Sequence, residues 1–531
     1  MRFFNTAGPA NCEKHYCLSP LDRFDLDEII SLINQEKYFV LHAPRQTGKT
    51  TCLLALMDYL NKEGKYKCLY INVESAQGAR EDVYRGIRAI LNEMGLSERI
   101  YLDDPFVNKI WRDVLDKSGE DTALNEILTL WSEDSAKPVV LLIDEIDSLI
   151  GDTLISVLRQ IRAGYHRRPK LFPQSIILCG VRDIRDYRIH SSREKTIITG
   201  GSAFNIKAES LRLGDFTKDE VNILYNQHTK ETGQVFESES IDFAWKLTSG
   251  QPWLVNALGY EACFKIKEGR DRLKLITKLM IEQAKDNIIL RRDTHIDQLM
   301  DKLREERVKR VVNPMLQGLD MEHASEDDIQ YVLDLGLVCK SPQGLQIANR
   351  IYKEVIPRHL TVTTQYNLES RINPLWYIGL DGSIDMEKLL SAFQEFFREH
   401  SEHWIERFQY KEAVPQLLLQ AFLQRIVNSG GRVEREYGLG RMRTDLLVIW
   451  RIQGSGGEQI QRVVIELKIL YKSLETTIKE GLSQTAKYMD RCGTSDGHLI
   501  IFDRRENITW DEKIFQYTER YKDREIMVWG M

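Results

Sequence analysis

Two groups of residues in this chain have the types and spacing that phosphate chemistry needs. The first is Ala43-Pro44-Arg45-Gln46-Thr47-Gly48-Lys49-Thr50-Thr51, between the apolar run Tyr38 to Leu41 and a helical pattern, Cys52 to Leu60. The order is that of a phosphate-binding loop, G-x-x-x-x-G-K-[ST], with Ala43 where the first glycine usually stands. Backbone N–H groups of such a loop, and the helix N-terminus after it, face the phosphates. Lys49 then reaches the β- and γ-phosphates, and the Thr50 hydroxyl ligates Mg²⁺. Further on, Val139-Val140-Leu141-Leu142-Ile143 runs into Asp144-Glu145, an apolar strand ending in two carboxylates. A buried parallel strand delivers Asp144 to the carboxyl edge of a sheet, where Mg²⁺ sits. Glu145 is then placed to polarise an attacking water. Hydrolysis also needs a charge-neutralising group. Arg182, after the strand-like run Ser175 to Cys179, is a candidate sensor of the γ-phosphate; the alternative is a surface pair with Asp183 or Asp186. Arg159, Arg162, Arg193 and Arg212 are candidate arginine fingers, and the sequence does not choose among them.

The second group lies near the other end. Gly440-Arg441-Met442-Arg443-Thr444-Asp445 leads into the strand-like Leu446 to Trp450, and Val463-Val464-Ile465-Glu466-Leu467-Lys468 follows a glycine-rich turn. Strand alternation puts Glu466 and Lys468 on one face. A hairpin brings Asp445 beside them. Two carboxylates and the Leu467 carbonyl are hard oxygen ligands suited to Mg²⁺ or Mn²⁺. Lys468 can orient a water and offset developing negative charge. Such a site supports attack of an activated water on a phosphodiester. The competing reading is a surface charge pair. Against it, Glu466 interrupts an apolar run, where an unpartnered carboxylate is costly.

These residues need elements to hold them. The 531 residues, at about 150 per domain, suggest roughly three or four domains. Charged residues at 29% and a net charge of −6 exclude a disordered polyanion and a strongly basic coat protein, though not a local basic groove. Residues 1–205 alternate short β-branched runs with amphipathic helices, which predicts a parallel sheet covered on both faces. Residues 206–295 lose the strand signal and read as a helical lid. Residues 296–375 read as helices closed by a hairpin turning at Ser341-Pro342-Gln343-Gly344, a winged helix plus linker. Residues 376–531 turn αβ again, with strands at Arg432 to Tyr437, Thr444 to Trp450, Gln461 to Ile469, His498 to Phe502 and Ile526 to Trp529. The fold class expected is thus α/β and multidomain. Eight scattered cysteines suggest reduced, buried thiols; Cys12, His15 and Cys17 lack the further ligands of a metal site. No apolar run is long enough to span a bilayer, and the first residues lack the pattern of a signal peptide. A cytoplasmic protein with no membrane partner is expected.

Two family resemblances become visible on these residues. Residues 1–360 resemble an AAA-like P-loop ATPase of the signal-transduction (STAND) and archaeal ATPase group. The resemblance rests on Arg45 to Thr51, Leu142-Ile143-Asp144-Glu145-Ile146-Asp147 and Ser249-Gly250-Gln251-Pro252. It implies ATP and Mg²⁺ as cofactors and a nucleotide-dependent homo-oligomer. It also implies that Pro252, in the Gly-x-Pro motif of the lid, packs against the adenine. Val332 to Val338 and Ile347 to Tyr352 resemble the winged helix that follows the lid.

The C-terminal segment resembles the PD-(D/E)xK nuclease superfamily, with an αβββαβ, restriction-endonuclease-like order. Thr444 replaces the usual proline before Asp445. Gln484-Thr485-Ala486-Lys487-Tyr488 resembles the Gln-x-x-x-Tyr motif of its recombination-type members, which makes Gln484 and Tyr488 site candidates. The resemblance also makes Glu412 a candidate acidic ligand, in competition with Glu434 and Glu436. The polymer partner implied is nucleic acid, with DNA expected. Arg441, Arg443 and Lys487 are phosphate-binding candidates near that site. Arg304, Arg307, Lys309 and Arg310 read rather as a solvated helix face paired with Glu305 and Glu306. An ATP-controlled nuclease is one expectation. A nucleotide-switched scaffold with a binding-only C-terminal domain, as in phage defence or mobile-element control, is the other.

Overall fold

The β-branched runs of the N-terminal region become the middle of a parallel sheet. In a computed structural model of the chain, β1 (Tyr38–His42) runs through the phosphate-binding loop into helix α1 (Lys49–Glu63). Strands β2 (Lys67–Asn72), β3 (Val139–Asp144), β4 (Ser175–Gly180) and β5 (Lys207–Arg212) complete the sheet in the order β2-β3-β4-β1-β5. Every pairing in it is parallel. β3 and β4 are buried along their whole length, as strands covered on both faces must be. Val40, Ile71, Leu141 and Leu178 face the helices between residues 83 and 164. Phe39, Tyr70, Leu142 and Ile177 face α1. This is an α/β protein with a parallel-sheet P-loop core. β5 corrects the expectation that residues 206–295 are purely helical. Its sequence, Lys207-Ala208-Glu209-Ser210-Leu211-Arg212, is polar and largely exposed. An edge strand is held by ladder bonds to β1 and needs no apolar alternation.

The structure describes residues 1–183, 188–191, 196–199, 204–291, 293–317, 324–342, 344–360, 377–379, 381–407, 419, 422–423, 431–437, 444–452, 459–470, 473–503, 505 and 508–531. They form two compact units, Met1–Leu299 with Ser325–Tyr352, and Met300–Ala324 with Lys353–Met531.

In the first unit the sheet is followed by helices α2 (Lys218–Thr232), α3 (Ser238–Thr248) and α4 (Pro252–Tyr260). A capping box of Thr217 and Glu220 starts α2. Between α3 and α4, Gly250 has φ +81°, and a Cβ there would stand 1.8 Å from the Phe216 carbonyl oxygen. Only glycine allows that close approach. The Phe216 N–H donates to the Gly250 carbonyl at 2.8 Å, so the contact ties the segment after β5 to the turn between α3 and α4. Gln251 caps α4 by accepting from the Leu254 N–H at 2.6 Å, and Pro252 opens its first turn. Helix α5 (Glu326–Asp334), capped by Ser325, leads to the antiparallel hairpin β6 (Val338–Ser341) and β7 (Gly344–Ile347), where Ser341 pairs with Gly344. Helix α6 (Arg350–Leu360) follows, its residues up to Tyr352 in this unit and the rest in the second.

In the second unit, helix α7 (Met386–Arg407) precedes β8 (Gly431–Tyr437), β9 (Thr444–Ile452) and β10 (Gln459–Ile469). Helix α8 (Leu474–Cys492) crosses to β11 (Asp496–Phe502), and β12 (Phe515–Tyr521) and β13 (Arg524–Gly530) close the chain. The sheet order is β8-β9-β10-β11-β13-β12, antiparallel from β8 to β10 and parallel across β10, β11 and β13. Leu389, Phe393 and Phe397 of α7 cover one face. Leu482, Ala486 and Met489 of α8 cover the other. β12 is an unforeseen edge strand, exposed on both faces and so without the alternation that marks a half-buried strand.

Gly481 sets how closely α8 lies on β11: a Cβ there would meet Leu499 Cδ1 at 2.5 Å. Leu499 is fully buried and has no space to retreat. Gly481→Val is expected to lower unfolding stability by about 1–3 kcal/mol through overpacking, measured as a shift of the denaturant midpoint.

Cys12 and Cys17 form a disulfide, which corrects the expectation of eight reduced thiols. Cys52, Cys68, Cys179 and Cys263 are buried thiols, whereas Cys339 is exposed. Among the described residues no helix is long and apolar enough to cross a membrane. Lys309 pairs with Glu306 at 2.6 Å and Arg304 with Asp301 at 3.3 Å, the pattern of a solvated helix face.

Candidate functional site

The phosphate-binding loop is built by two left-handed backbone positions, Gln46 (φ 59°) and Gly48 (φ 95°). Ala43 has no positive φ, so the absent glycine costs nothing there. Its N–H donates to the Gly180 carbonyl at 3.2 Å, which pins the loop to β4. The Thr47 hydroxyl donates to the Pro44 carbonyl at 2.8 Å. Lys49 is buried and its ammonium donates to the carbonyls of Ala43 (2.9 Å) and Pro44 (3.0 Å). The Thr51 hydroxyl accepts the Ala10 N–H at 2.9 Å, drawing the N-terminal stretch onto α1.

Asp144 comes to this loop from the end of β3. It is fully buried, and its Oδ2 accepts the Thr50 hydroxyl at 2.7 Å. Tyr70, on the neighbouring strand, donates to the same oxygen at 3.1 Å. No spacing pattern marks Tyr70; β2–β3 pairing, which sets Asn72 beside Asp144, brings it there. The Thr50 and Asp144 oxygens are a hard donor set that fits Mg²⁺. Glu145 follows with φ 57°, its N–H donating to Asp144 Oδ1 at 2.9 Å. Burial, and then the Asp147 carboxylate, raise the Glu145 pKa above the usual carboxylate range. A base with a raised pKa loses its charge earlier as pH falls. The acid limb of hydrolysis is therefore expected above an ordinary glutamate value, and Glu145→Gln is expected to bind ATP yet lose most turnover; a pH–rate profile with parallel binding measurements checks both.

Arg182 lies with its guanidinium 4.9 Å from the centre of the Tyr331 ring on α5. Arg212 reaches the Leu333 carbonyl of the same helix at 3.4 Å. Arg159 lines a separate cleft with Asp121, Asp152 and Gln160. Arg193 lies outside the described residues. A cleft of about 130 Å³ adjoins the loop, lined by Ala10, Tyr16, Leu18, Gly48, Phe216 and Pro252 among others. It is apolar enough for a base and opens on the phosphate-binding loop. Arg23, unmarked by any motif, ties its rim by donating to the carbonyls of Thr47 (3.2 Å) and Gly214 (2.6 Å).

Residues 33–187 match the AAA domain family. This part of the chain is a nucleotide-binding P-loop ATPase domain of the AAA type. No curated protein matches the chain. Among solved structures, the chain is similar to the Walker-type ATPase of Pyrococcus abyssi, at 14% identity and a TM-score of 0.45, over 66% of this chain and 99% of that one. The Thermotoga maritima RuvB Holliday junction branch migration motor is 14% identical with a TM-score of 0.32, over 63% and 95%. Cdc6p from Pyrobaculum aerophilum is 14% identical with a TM-score of 0.34, over 66% and 94%.

The second candidate site lies on β10. Glu466 and Lys468 share the face that α8 covers, and Glu466 is fully buried. Lys468 Nζ donates to Glu466 Oε1 and to Gln484 Oε1 of α8. Glu466 Oε2 is buried without a hydrogen-bond partner among the described residues. An orphaned buried carboxylate oxygen is costly, and a cation is one way to satisfy it. The β9–β10 ladder pairs Leu446 with Ile465 and stops there. One step further, Asp445 stands level with Glu466 by register. Tyr488 is one turn beyond Gln484, 5.9 Å from the Arg491 guanidinium. Glu412, Arg441 and Arg443 lie outside the described residues, as do the side chains of Glu434, Glu436 and Asp445. No group of three acidic, His or Cys side chains is arranged to hold a metal among the described residues.

Proposed function

We propose that this chain is an ATP-controlled, metal-dependent nuclease acting on DNA. The observation that carries the second half of this reading is the buried Glu466–Lys468–Gln484 cluster with its unpartnered Glu466 oxygen, level with Asp445. Lys468 is held by two acceptors on different elements, so its charge is aimed rather than free to swing. Asp445, Glu466 and the Leu467 carbonyl would hold a divalent cation, which would supply Lewis-acid polarisation of a phosphodiester. Gln484 orients Lys468, and Tyr488, Lys487 and the arginines before Asp445 bind the polymer backbone.

In the ATPase unit, Lys49 exchanges its two loop carbonyls for phosphate oxygens, Thr50 and Asp144 would hold Mg²⁺, and Glu145 takes a proton from the attacking water. Arg182 senses the γ-phosphate, and Pro252 packs against the base. Nucleotide state then moves the lid and the winged helix, as in the STAND group, and sets the oligomer. The division into core, lid, winged helix and nuclease-like domain belongs to the same proposal.

The test is cleavage of linear, circular, single- and double-stranded DNA by the full chain, with Mg²⁺ or Mn²⁺, with and without ATP. Metal-dependent cutting that changes with ATP in the wild type, and not in Lys49→Ala, supports the reading. Cutting that ignores ATP removes the coupling. Absence of cutting in every arm, with an ATP-dependent change of elution volume, replaces it with a nucleotide-switched scaffold.

A further inference from the structure

His295 lies at the start of the helix Thr294–Lys302, outside every motif considered above. It is buried and touches three separate parts of the first unit. Its Nδ1 is 2.5 Å from Gln46 Oε1, in the phosphate-binding loop. Its Nε2 is 2.6 Å from the Tyr352 hydroxyl, at the start of α6. Its ring stacks on Trp253, the residue after Pro252, with centroids 4.9 Å apart and planes inclined by 16°. It also stacks on Tyr352 at 5.8 Å and 25°. Trp253 in turn donates to the Thr6 carbonyl at 2.9 Å, beside the cleft.

The hydrogen bonds run in one direction. Gln46 Oε1 can only accept, so Nδ1 carries the proton. Nε2 is then the acceptor of the Tyr352 hydroxyl. Burial pushes the His295 pKa down to about 3, which keeps the ring neutral and the order Tyr352 to His295 to Gln46 intact. Gln46 is one of the two left-handed positions that shape the loop. A non-glycine residue holds that conformation only when its surroundings over-determine it. The bond from His295 supplies part of that constraint.

We propose that His295 is a positioning residue that locks Gln46, and with it the phosphate-binding loop, to Trp253 after Pro252 and to Tyr352. Phosphates entering the loop shift Gln46, and that shift reaches both residues through one imidazole. The proposal rests on the nucleotide reading of the loop and goes beyond it by naming the link that carries nucleotide state outward.

The test measures ATP binding by calorimetry and steady-state hydrolysis on the full chain. His295→Phe keeps the stacking ring and loses both hydrogen bonds. It is expected to weaken ATP binding about tenfold, the scale of a lost buried hydrogen bond, while kcat falls less than KM rises. His295→Asn restores a donor at the Nδ1 position and is expected to recover most of the affinity. Gln46→Asn tolerates the left-handed backbone but no longer reaches His295, and is expected to match His295→Phe. The double variant is then no weaker than either single one. Unchanged affinity in His295→Phe overturns the proposal. So do additive effects in the double variant, or a fall in kcat with KM unchanged. Wild type and Lys49→Ala test the nucleotide reading by themselves. Tight binding by wild type and His295→Phe, with loss in Lys49→Ala, removes the link and leaves that reading standing; no binding by wild type removes both.

Discussion

Lys49→Ala is expected to abolish measurable ATP binding and to cut hydrolysis by at least about 100-fold, some 2.7 kcal/mol of lost transition-state stabilisation. The ammonium is the cation that the loop motif places against the β- and γ-phosphates. Its present partners are two neutral carbonyls of its own loop, at 2.9 and 3.0 Å. Its removal leaves no hydrogen-bonded ion pair broken, though it takes a positive charge from the neighbourhood of Glu145, and the fold is expected to survive. Isothermal calorimetry with ATP, and a thermal melt without it, separate the two effects. A lowered melting temperature without ATP would mean that Lys49 is a structural cation of the loop. Undiminished hydrolysis would mean that the phosphates are held elsewhere.

Under the proposed nuclease function, Lys468→Ala is expected to lose DNA cleavage by about 1,000-fold or more, on the scale of removing a group that stabilises a transition-state charge. It is also expected to destabilise the second unit, because Glu466 is fully buried and Lys468 is its ion-pair partner. Breaking such a pair by deleting one member costs about 3–5 kcal/mol. Loss of activity alone would then be ambiguous. Glu466→Gln with Lys468→Met removes both charges and keeps the volume, so it is expected to restore stability while leaving cleavage absent. Urea unfolding and a Mg²⁺-dependent cleavage assay on the three proteins decide this. A stable double variant that still cuts DNA would remove Glu466 and Lys468 from catalysis.

The Gly481 packing and the Glu145 acid limb are smaller effects, each tied to one contact. The Gly481 effect reads how α8 lies on the sheet and thus where Gln484 stands. The Glu145 effect reads the field of Asp147 and burial at the carboxyl end of β3.

Much of the local geometry of both candidate sites was legible in the sequence because their residues are contiguous. A strand, a glycine turn and a helix start are local conformations, so Tyr38 to Leu60 announced the loop and Val139 to Glu145 the carboxylates. Strand alternation likewise put Glu466 and Lys468 on one face. What stayed hidden was non-local. β5 and β12 are edge strands with polar, exposed residues, and an edge is chosen by the ladder it joins. Tyr70 meets Asp144 only through the β2–β3 register. Whether α7 or α8 would cover the Glu466 face, and so whether Gln484 could reach Lys468, was a matter of crossover packing. The Cys12–Cys17 disulfide closes a loop that spacing alone leaves open. His295 carries no sequence signal, since a lone histidine in a helix is ordinary; only folding brings Gln46, Trp253 and Tyr352 around it. The amino-acid order by itself thus determined which chemical groups exist and their local geometry. The tertiary structure decided which of them meet, because packing selects among contacts that local backbone preference leaves equivalent.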